Sequence, residues 1–314
     1  MSKYFTLGAE TSLTPFASLN NTIMKIPYYL TLPAVVLIVF CSLSAAGQVK
    51  DTPPRHFTLY SESVKDSFTI SVNFPHNYNP QKKRKYAVVY LLDANIYFDI
   101  VAAALNRYSE IGLAPNVILV GIGYKDFPTL DSLRNRDDTY PKAIAEYEMS
   151  VSGGADKFLN FISQELVPKI DQECKTDTAK RVLMGHSLAG YFTAHTLLQT
   201  LTGGNQTFSN FIAASPSIHY NRYYLLKKLE QVKAKPAAQK RKAYFTFGGG
   251  EDAENADDKT MRKNALVVQQ LKAIFSALRN AVIYKSDLFS NLGHMDTQIP
   301  TFIRGLQWEL TPGK

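Results

Sequence analysis

A serine set between glycines constrains the fold of this chain more than any other feature. The segment at positions 185–190 reads GHSLAG, an apolar run at 181–184 precedes it, and residues 191–198 have the composition of a buried helix. Glycine before the serine permits a tight turn, and small residues after it let the following helix pack closely on the strand. The segment predicts a strand, a sharp turn and a helix, with the Ser187 hydroxyl at the carboxyl edge of a sheet.

Two roles for Ser187 are open at this point. Serine is a preferred N-cap, so the residue could serve only to begin the helix. A nucleophilic serine needs more, because its hydroxyl is weakly reactive until a histidine and a carboxylate assist it. His294 follows the last strand-like run, and Glu251 and Asp252 follow the run before it. The order serine, acid, histidine favours the nucleophile, with Glu251 or Asp252 as the acid.

The rest of the chain alternates strand-like and helix-like segments. Polar and apolar residues alternate at 57–64 and 67–75, which predicts an antiparallel hairpin. Continuous apolar runs, typical of strands buried on both faces, lie at 86–92, 116–124, 181–184, 210–214, 242–247 and 281–289. Amphipathic helices are clearest at 155–170 and 260–278. This pattern predicts one α/β domain over residues 47–314, with a mostly parallel, doubly wound sheet and an N-terminal antiparallel hairpin.

The first 46 residues have a different character. Residues 26–46 are uncharged, follow Met24 and Lys25, and end in the small residues SAA at 44–46, before Gly47. We expect a secretory signal peptide over residues 24–46, preceded by a mis-annotated leader over 1–23, and an exported protein without stable membrane insertion after cleavage. The alternative is a membrane anchor. The densely apolar part spans only 34–41, against the roughly 20 residues that a membrane span needs.

Composition narrows the possible partners. The formal net charge is +8, and the densest basic runs lie at 82–85 and 227–242. No aromatic residues are interleaved with these charges as in a nucleic-acid module, so we interpret them as solvated surface and expect no nucleic-acid partner. No set of histidines and cysteines has the spacing of zinc ligands, so we expect no metal.

Several short motifs, taken together, resemble the esterase-D-like branch of the α/β-hydrolases. This group includes siderophore (enterochelin) esterases, feruloyl and acetyl-xylan esterases, and S-formylglutathione hydrolases. The resemblance covers residues 57–310 and rests on YLLDA at 90–94, RDDT at 136–139 with Pro141, GGA at 153–155, GHSLAG at 185–190, SPS at 215–217, GGE at 249–251 and GH at 293–294. It implies a serine-dependent carboxylic ester hydrolase that needs no cofactor.

The resemblance also implies roles for particular residues. Ser187 would attack the ester carbonyl and His294 would carry the proton. In siderophore-esterase-like members the acid is usually a glutamate at the position of Glu251, which favours it over Asp252. Backbone N–H groups would form the oxyanion hole, and the candidates are Leu188, Ala94 and Asn95. Family members often have glycine where Ala94 stands. The alternatives to hydrolysis are an acyltransferase, or a noncatalytic binding protein on the same scaffold.

Four further residues are candidate substrate contacts near the predicted pocket: Arg136, Tyr97, His219 and Tyr220. A basic domain with aromatic loops suits a small-molecule or carbohydrate-linked ester with an anionic or aromatic acyl group, such as a siderophore or hydroxycinnamoyl ester. The alternative for Arg136 is an ion pair with Asp137 or Asp138 that holds its own loop in place.

Overall fold

The computed structural model describes residues 52–233, 236, 239–257 and 261–310. The expected leader at 1–23 and signal peptide at 24–46 lie outside these residues. Residues Lys50–Lys314 form one compact unit. Every helix in the described ranges is too short or too polar to cross a lipid bilayer.

A single sheet runs through the described residues, and its strands follow the apolar runs of the sequence. They are β1 Arg55–Ser61, β2 Asp66–Asn73, β3 Tyr86–Leu91, β4 Val117–Gly123, β5 Thr176–His186, β6 Asn210–Ala214, β7 Arg241–Gly248 and β8 Val282–Phe289. The order across the sheet is β1-β2-β4-β3-β5-β6-β7-β8. β2 pairs antiparallel with β1 and β4, whereas β4, β3, β5, β6, β7 and β8 pair in parallel. The predicted sheet and hairpin are confirmed.

Helices cover both faces of this sheet. They are α1 Ala94–Glu110, α2 Phe127–Asp138, α3 Ala155–Asn160, α4 Val167–Glu173, α5 Leu188–Leu201, α6 Tyr220–Glu230, α7 Glu251–Glu254, α8 Asn264–Ala277 and α9 Gln298–Leu310. α1 and α9 pack on the face that carries Val89 and Leu91. The helices α3, α4, α5, α6 and α8 pack on the opposite face, with Val88 and Tyr90. This two-sided burial explains why the central strands lack a polar alternation.

The predicted helix at 155–170 is interrupted. A turn of π-helix, Phe161–Leu166, separates α3 from α4. Pro168 stands at the start of α4, where its missing N–H cannot continue the regular hydrogen-bond ladder, and the wider turn precedes it. The apolar spacing predicted the buried face correctly but carried no signal for the change of pitch.

Parallel pairing brings the ends of several strands to one edge of the sheet. Leu91 of β3 pairs with Met184 of β5, and Gly248 of β7 pairs with Phe289 of β8. The segments that follow these strands begin at Leu92, Ser187, Gly249 and Ser290. Ligand sites of open α/β sheets lie at this carboxyl edge, and the candidate residues of this chain meet there.

Candidate active site

Ser187 stands at a strained turn between β5 and α5. Its backbone has φ 59° and ψ −119°, a conformation that residues other than glycine rarely adopt. The Ser187 N–H donates to the Ala214 carbonyl, and its own carbonyl accepts from the N–H groups of Ser217 and Tyr191. These contacts hold the strained conformation and turn the hydroxyl outward.

The small residues of the GHSLAG segment each meet a close neighbour. A Cβ on Gly185 would stand 2.5 Å from the Ala189 carbonyl oxygen, and one on Gly190 would stand 3.0 Å from the Pro216 Cα. Ala189 stands two residues after the serine, where the G-x-S-x-G form of this turn has glycine, and it is fully buried. In this chain the helix backbone approaches the Pro216 segment closely at Gly190, one residue after the usual glycine position.

Three side chains from three loops form one hydrogen-bonded chain. The Ser187 Oγ lies 3.0 Å from the His294 Nε2. The His294 Nδ1 lies 3.1 Å from the Glu251 Oε2. Because a carboxylate only accepts, Nδ1 carries the proton and Nε2 is left to accept from the serine hydroxyl. An arrangement of this kind can draw a proton from the serine as the oxygen attacks a carbonyl carbon.

Glu251 is held by more than the histidine. Its Oε1 accepts from the Ser215 hydroxyl at 2.5 Å and from the Gly248 N–H at 2.7 Å. Burial is the largest single influence and opposes ionisation, yet the hydrogen bonds from His294, Ser215 and Gly248 together hold the pKa of Glu251 below its ordinary value. A carboxylate kept ionised here favours the Nδ1–H tautomer of His294.

Asp252, the alternative acid, has a different environment. Its Oδ1 accepts the Asn264 N–H at 2.7 Å, at the start of α8. The structure therefore brings Glu251 to the histidine, whereas Asp252, the next residue of α7, binds the start of α8.

His186 holds the backbone of His294 in place through a hydrogen bond. The His186 Nε2 donates to the His294 carbonyl at 2.9 Å, and its Nδ1 accepts from the Tyr97 hydroxyl at 2.9 Å. Burial, aided by nearby His294, lowers the pKa of His186 to about 4, so the ring is neutral at pH 7. Burial likewise raises the pKa of Tyr97 to about 12, which keeps its phenol a donor. Tyr97 is 2% exposed and does not line the cavity beside Ser187, which corrects its expected role as a substrate contact.

The candidate oxyanion donors begin two helices that follow the adjacent strands β3 and β5. Leu188 is the first residue of α5, and Ala94 and Asn95 are the first two of α1. N–H groups in the first turn have no acceptor within their own helix, so they are free to bind a developing oxyanion. Asp93 caps α1 at φ 51°, where Arg134 holds its carboxylate with hydrogen bonds of 2.6 and 3.3 Å.

Arg136 binds carboxylates of its own fold. Its guanidinium donates two hydrogen bonds to Asp137 and one to Asp66, at 2.8 to 2.9 Å. Asp137 is fully buried, so this cation compensates a carboxylate that water does not reach. The structure corrects the expected substrate contact: Arg136 fastens β2 to the end of α2 and does not line the cavity beside Ser187.

A cavity of about 350 Å³ lies over Ser187 and His294. His219 and Tyr220, the other two candidate substrate contacts, are among its lining residues. Its walls also carry Tyr147 and Tyr223, and the Ser217 hydroxyl lies 3.4 Å from that of Ser187. The cavity therefore offers mostly apolar and aromatic surface around one reactive hydroxyl.

Sequence reasoning missed three contributors to this site. Ser215 orients Glu251, His186 orients the His294 backbone, and Tyr223 forms part of the cavity wall. The SPS motif was a usable signal for Ser215, since it follows a buried strand. For Tyr223, which lies four residues before the basic stretch at 227–242, no local pattern was available.

Comparisons with known proteins agree with this architecture. The family model described as "Esterase: Putative esterase" matches residues 61–282. The chain is 31% identical over 244 residues to the ferri-bacillibactin esterase BesA of Bacillus subtilis, covering 74% of this chain and 82% of that protein. It is 30% identical over 180 residues to the siderophore triacetylfusarinine C esterase of Aspergillus fumigatus, covering 55% and 59%.

The fold has close counterparts among solved structures. The siderophore hydrolase EstA from Aspergillus nidulans superposes with a TM-score of 0.70 at 20% identity, covering 84% of this chain and 95% of that one. A match of the family model across residues 61–282 spans more than half of the chain, and the sheet, the helical layers and the strand-turn-helix at Ser187 fit it. The chain therefore belongs to this esterase family of the α/β-hydrolases and is a carboxylic ester hydrolase.

Proposed function

We propose that Ser187, His294 and Glu251 are the catalytic triad of this esterase and that hydrolysis proceeds through an acyl-enzyme. The Ser187 Oγ attacks the ester carbonyl carbon while its proton passes to the His294 Nε2. The tetrahedral intermediate collapses, and His294 gives that proton to the departing alkoxide. A water molecule then repeats the sequence on the acyl-enzyme and releases the acid.

The hydrogen-bonded chain of 3.0 and 3.1 Å from Ser187 through His294 to Glu251 carries this proposal. The lowered pKa of Glu251 supports its role, because an ionised carboxylate stabilises the imidazolium that forms during attack. The N–H groups of Leu188 and of Ala94 or Asn95 are the proposed oxyanion donors.

Two serine variants test the nucleophile. Ser187→Ala should lower kcat/KM for an aryl ester by roughly 10⁴-fold or more, with an unchanged melting temperature. Ser217→Ala is the matched variant, since its hydroxyl lies 3.4 Å from that of Ser187, and it should keep most of the activity. Retained turnover in Ser187→Ala, or its loss only in Ser217→Ala, would refute the assignment.

We further propose a siderophore or hydroxycinnamoyl ester as substrate. Two of the relatives, a ferri-bacillibactin esterase and a siderophore triacetylfusarinine C esterase, support the first class. The aromatic walls formed by Tyr147, Tyr220 and Tyr223 suit planar acyl groups. A panel comparing kcat/KM for catecholate-siderophore, hydroxycinnamoyl and long aliphatic esters tests this, and preference for the aliphatic esters would contradict it.

We propose that the protein is exported by the signal sequence at 24–46. Its uncharged apolar segment and small-residue end support this proposal. N-terminal sequencing of protein recovered from the native cell should find a start near Gly47. An intact segment 24–46 in the membrane fraction would favour an anchor instead.

A further inference from the structure

A second cavity, of about 600 Å³, adjoins the one over Ser187. We call it the annex and define it by Tyr147, Arg222, Tyr223, Lys227 and Arg262. Tyr147, Tyr223 and Arg262 line both cavities. An ester whose carbonyl lies at Ser187 can therefore extend past the two tyrosines into the annex.

The annex is built on a strained turn. Asn221, Arg222 and Tyr223 have φ values of 49°, 55° and 63°, a run of three side-chain-bearing residues in the left-handed region. The Asn221 side chain holds this turn, because its Nδ2 donates to the Lys142 carbonyl at 2.9 Å and its Oδ1 accepts the Ile144 N–H at 3.0 Å. Strained backbone that its surroundings stabilise in this way is concentrated at ligand sites.

The charges of the annex are predominantly positive. Among the described residues that line it, Arg222, Lys227 and Arg262 are cationic and Glu146 is anionic. Glu146 pairs with Arg222, which leaves the charges of Lys227 and Arg262 in excess. The positive charge beside the Ser187 cavity therefore comes from Lys227 and Arg262, and not from Arg136 as expected.

Arg262 is held against an aromatic ring. Its guanidinium carbon lies 4.5 Å from the centre of the Tyr223 ring, and its backbone N–H donates to the Tyr223 hydroxyl at 2.6 Å. A guanidinium on a ring face presents planar donors that match paired oxygens of an anion, and the neighbouring ring gives a planar ligand a surface to stack on.

We propose that the annex binds an anionic aromatic group, an aryl carboxylate or catecholate, that the substrate carries away from its scissile ester. This inference rests on the proposed function, in which Ser187 opens an ester in the adjoining cavity. Lys227 and Arg262 attract the anionic oxygens, and Tyr147 and Tyr223 flank the ring. The annex then determines KM rather than the chemical step, because its contacts are made equally before and during attack.

The test uses two aryl esters that differ only at the remote end of the acyl group, one ending in a carboxylate and the other in a primary carboxamide. At low ionic strength, the wild-type protein should have a higher kcat/KM for the carboxylate ester than for the carboxamide ester. Salt at about 0.5 M, which shortens the screening length to about 3 to 5 Å, should reduce this difference. Lys227→Gln should raise KM for the carboxylate ester about two- to fivefold, with kcat unchanged, and leave the carboxamide ester unaffected. Lys227→Arg should restore the preference.

Lys228→Gln is the matched control. Lys228 is the next residue on α6, but its ammonium lies over the Tyr224 ring at 5.6 Å and it does not line the annex. It should change neither KM. Turnover of the carboxamide ester in the same samples reports that each variant is folded.

The outcomes separate this proposal from the one on which it rests. Equal kcat/KM for the two esters in the wild-type protein, or equal effects of Lys227→Gln and Lys228→Gln, would overturn the annex alone. Absence of turnover of both esters by the wild-type protein would overturn the proposed function, and the annex proposal with it.

Discussion

Replacing Tyr97 with phenylalanine distinguishes a structural hydroxyl from a substrate contact. The Tyr97 hydroxyl donates to the His186 Nδ1 at 2.9 Å, and both residues are 2% exposed. Tyr97→Phe leaves a buried acceptor without its donor, which costs about 1 to 3 kcal/mol of unfolding free energy. For a domain of this size the melting temperature should fall by roughly 2 to 4 °C per kcal/mol.

Kinetics should change in a characteristic way. His186 holds the His294 carbonyl, so a loosened His186 ring should lower kcat while KM stays constant. Thermal unfolding followed by circular dichroism, together with kcat and KM on one aryl ester, measures both effects. Tyr60→Phe is the control, because Tyr60 is 51% exposed and should change neither quantity. A raised KM with an unchanged melting temperature in Tyr97→Phe would refute this reasoning and return Tyr97 to the substrate.

Glu251→Gln should lower kcat by about 10²- to 10⁴-fold and Asp252→Asn by less than about twofold, since only Glu251 contacts His294; the reverse ranking in steady-state assays would contradict this. The pKa of His186 is lowered to about 4, so the unfolded chain takes up that proton first as the pH falls. Stability should therefore decrease by up to about 3 kcal/mol between pH 6.5 and 4, and urea titrations of His186→Gln should show a weaker dependence. Arg136→Gln should lower the free energy of unfolding by about 3 kcal/mol, because the buried Asp137 carboxylate loses its cationic partner, and KM should not change. A raised KM with unchanged stability, measured by urea titration and steady-state kinetics, would contradict this.

The fold was predictable because burial on both faces leaves a strong local signal. β4 is apolar throughout and β6 is apolar after its first residue, and the glycines and small residues of the serine turn show how little space it leaves. Chain order then led to His294 and Glu251. The direction in which a side chain points carries no such signal. Tyr97 bonds to His186, 89 residues away in the sequence. Arg136 binds its neighbour Asp137, which the sequence offered as an alternative, and also the distant Asp66, which it did not. The π-turn before Pro168 and the left-handed turn at Asn221 were hidden for the same reason.

The register in which the strands pair determines the distances between the Ser187, Glu251 and His294 side chains. Ser187 follows β5, Glu251 follows β7 and His294 follows β8, and the 3.0 and 3.1 Å contacts depend on the alignment of Gly248 with Phe289. One residue of slippage along a strand is about 3.3 Å, as long as either contact. β8 lies at the border of the sheet, paired on one side with β7. A change in its middle, far from any substrate, can therefore disconnect the histidine from both of its partners at once.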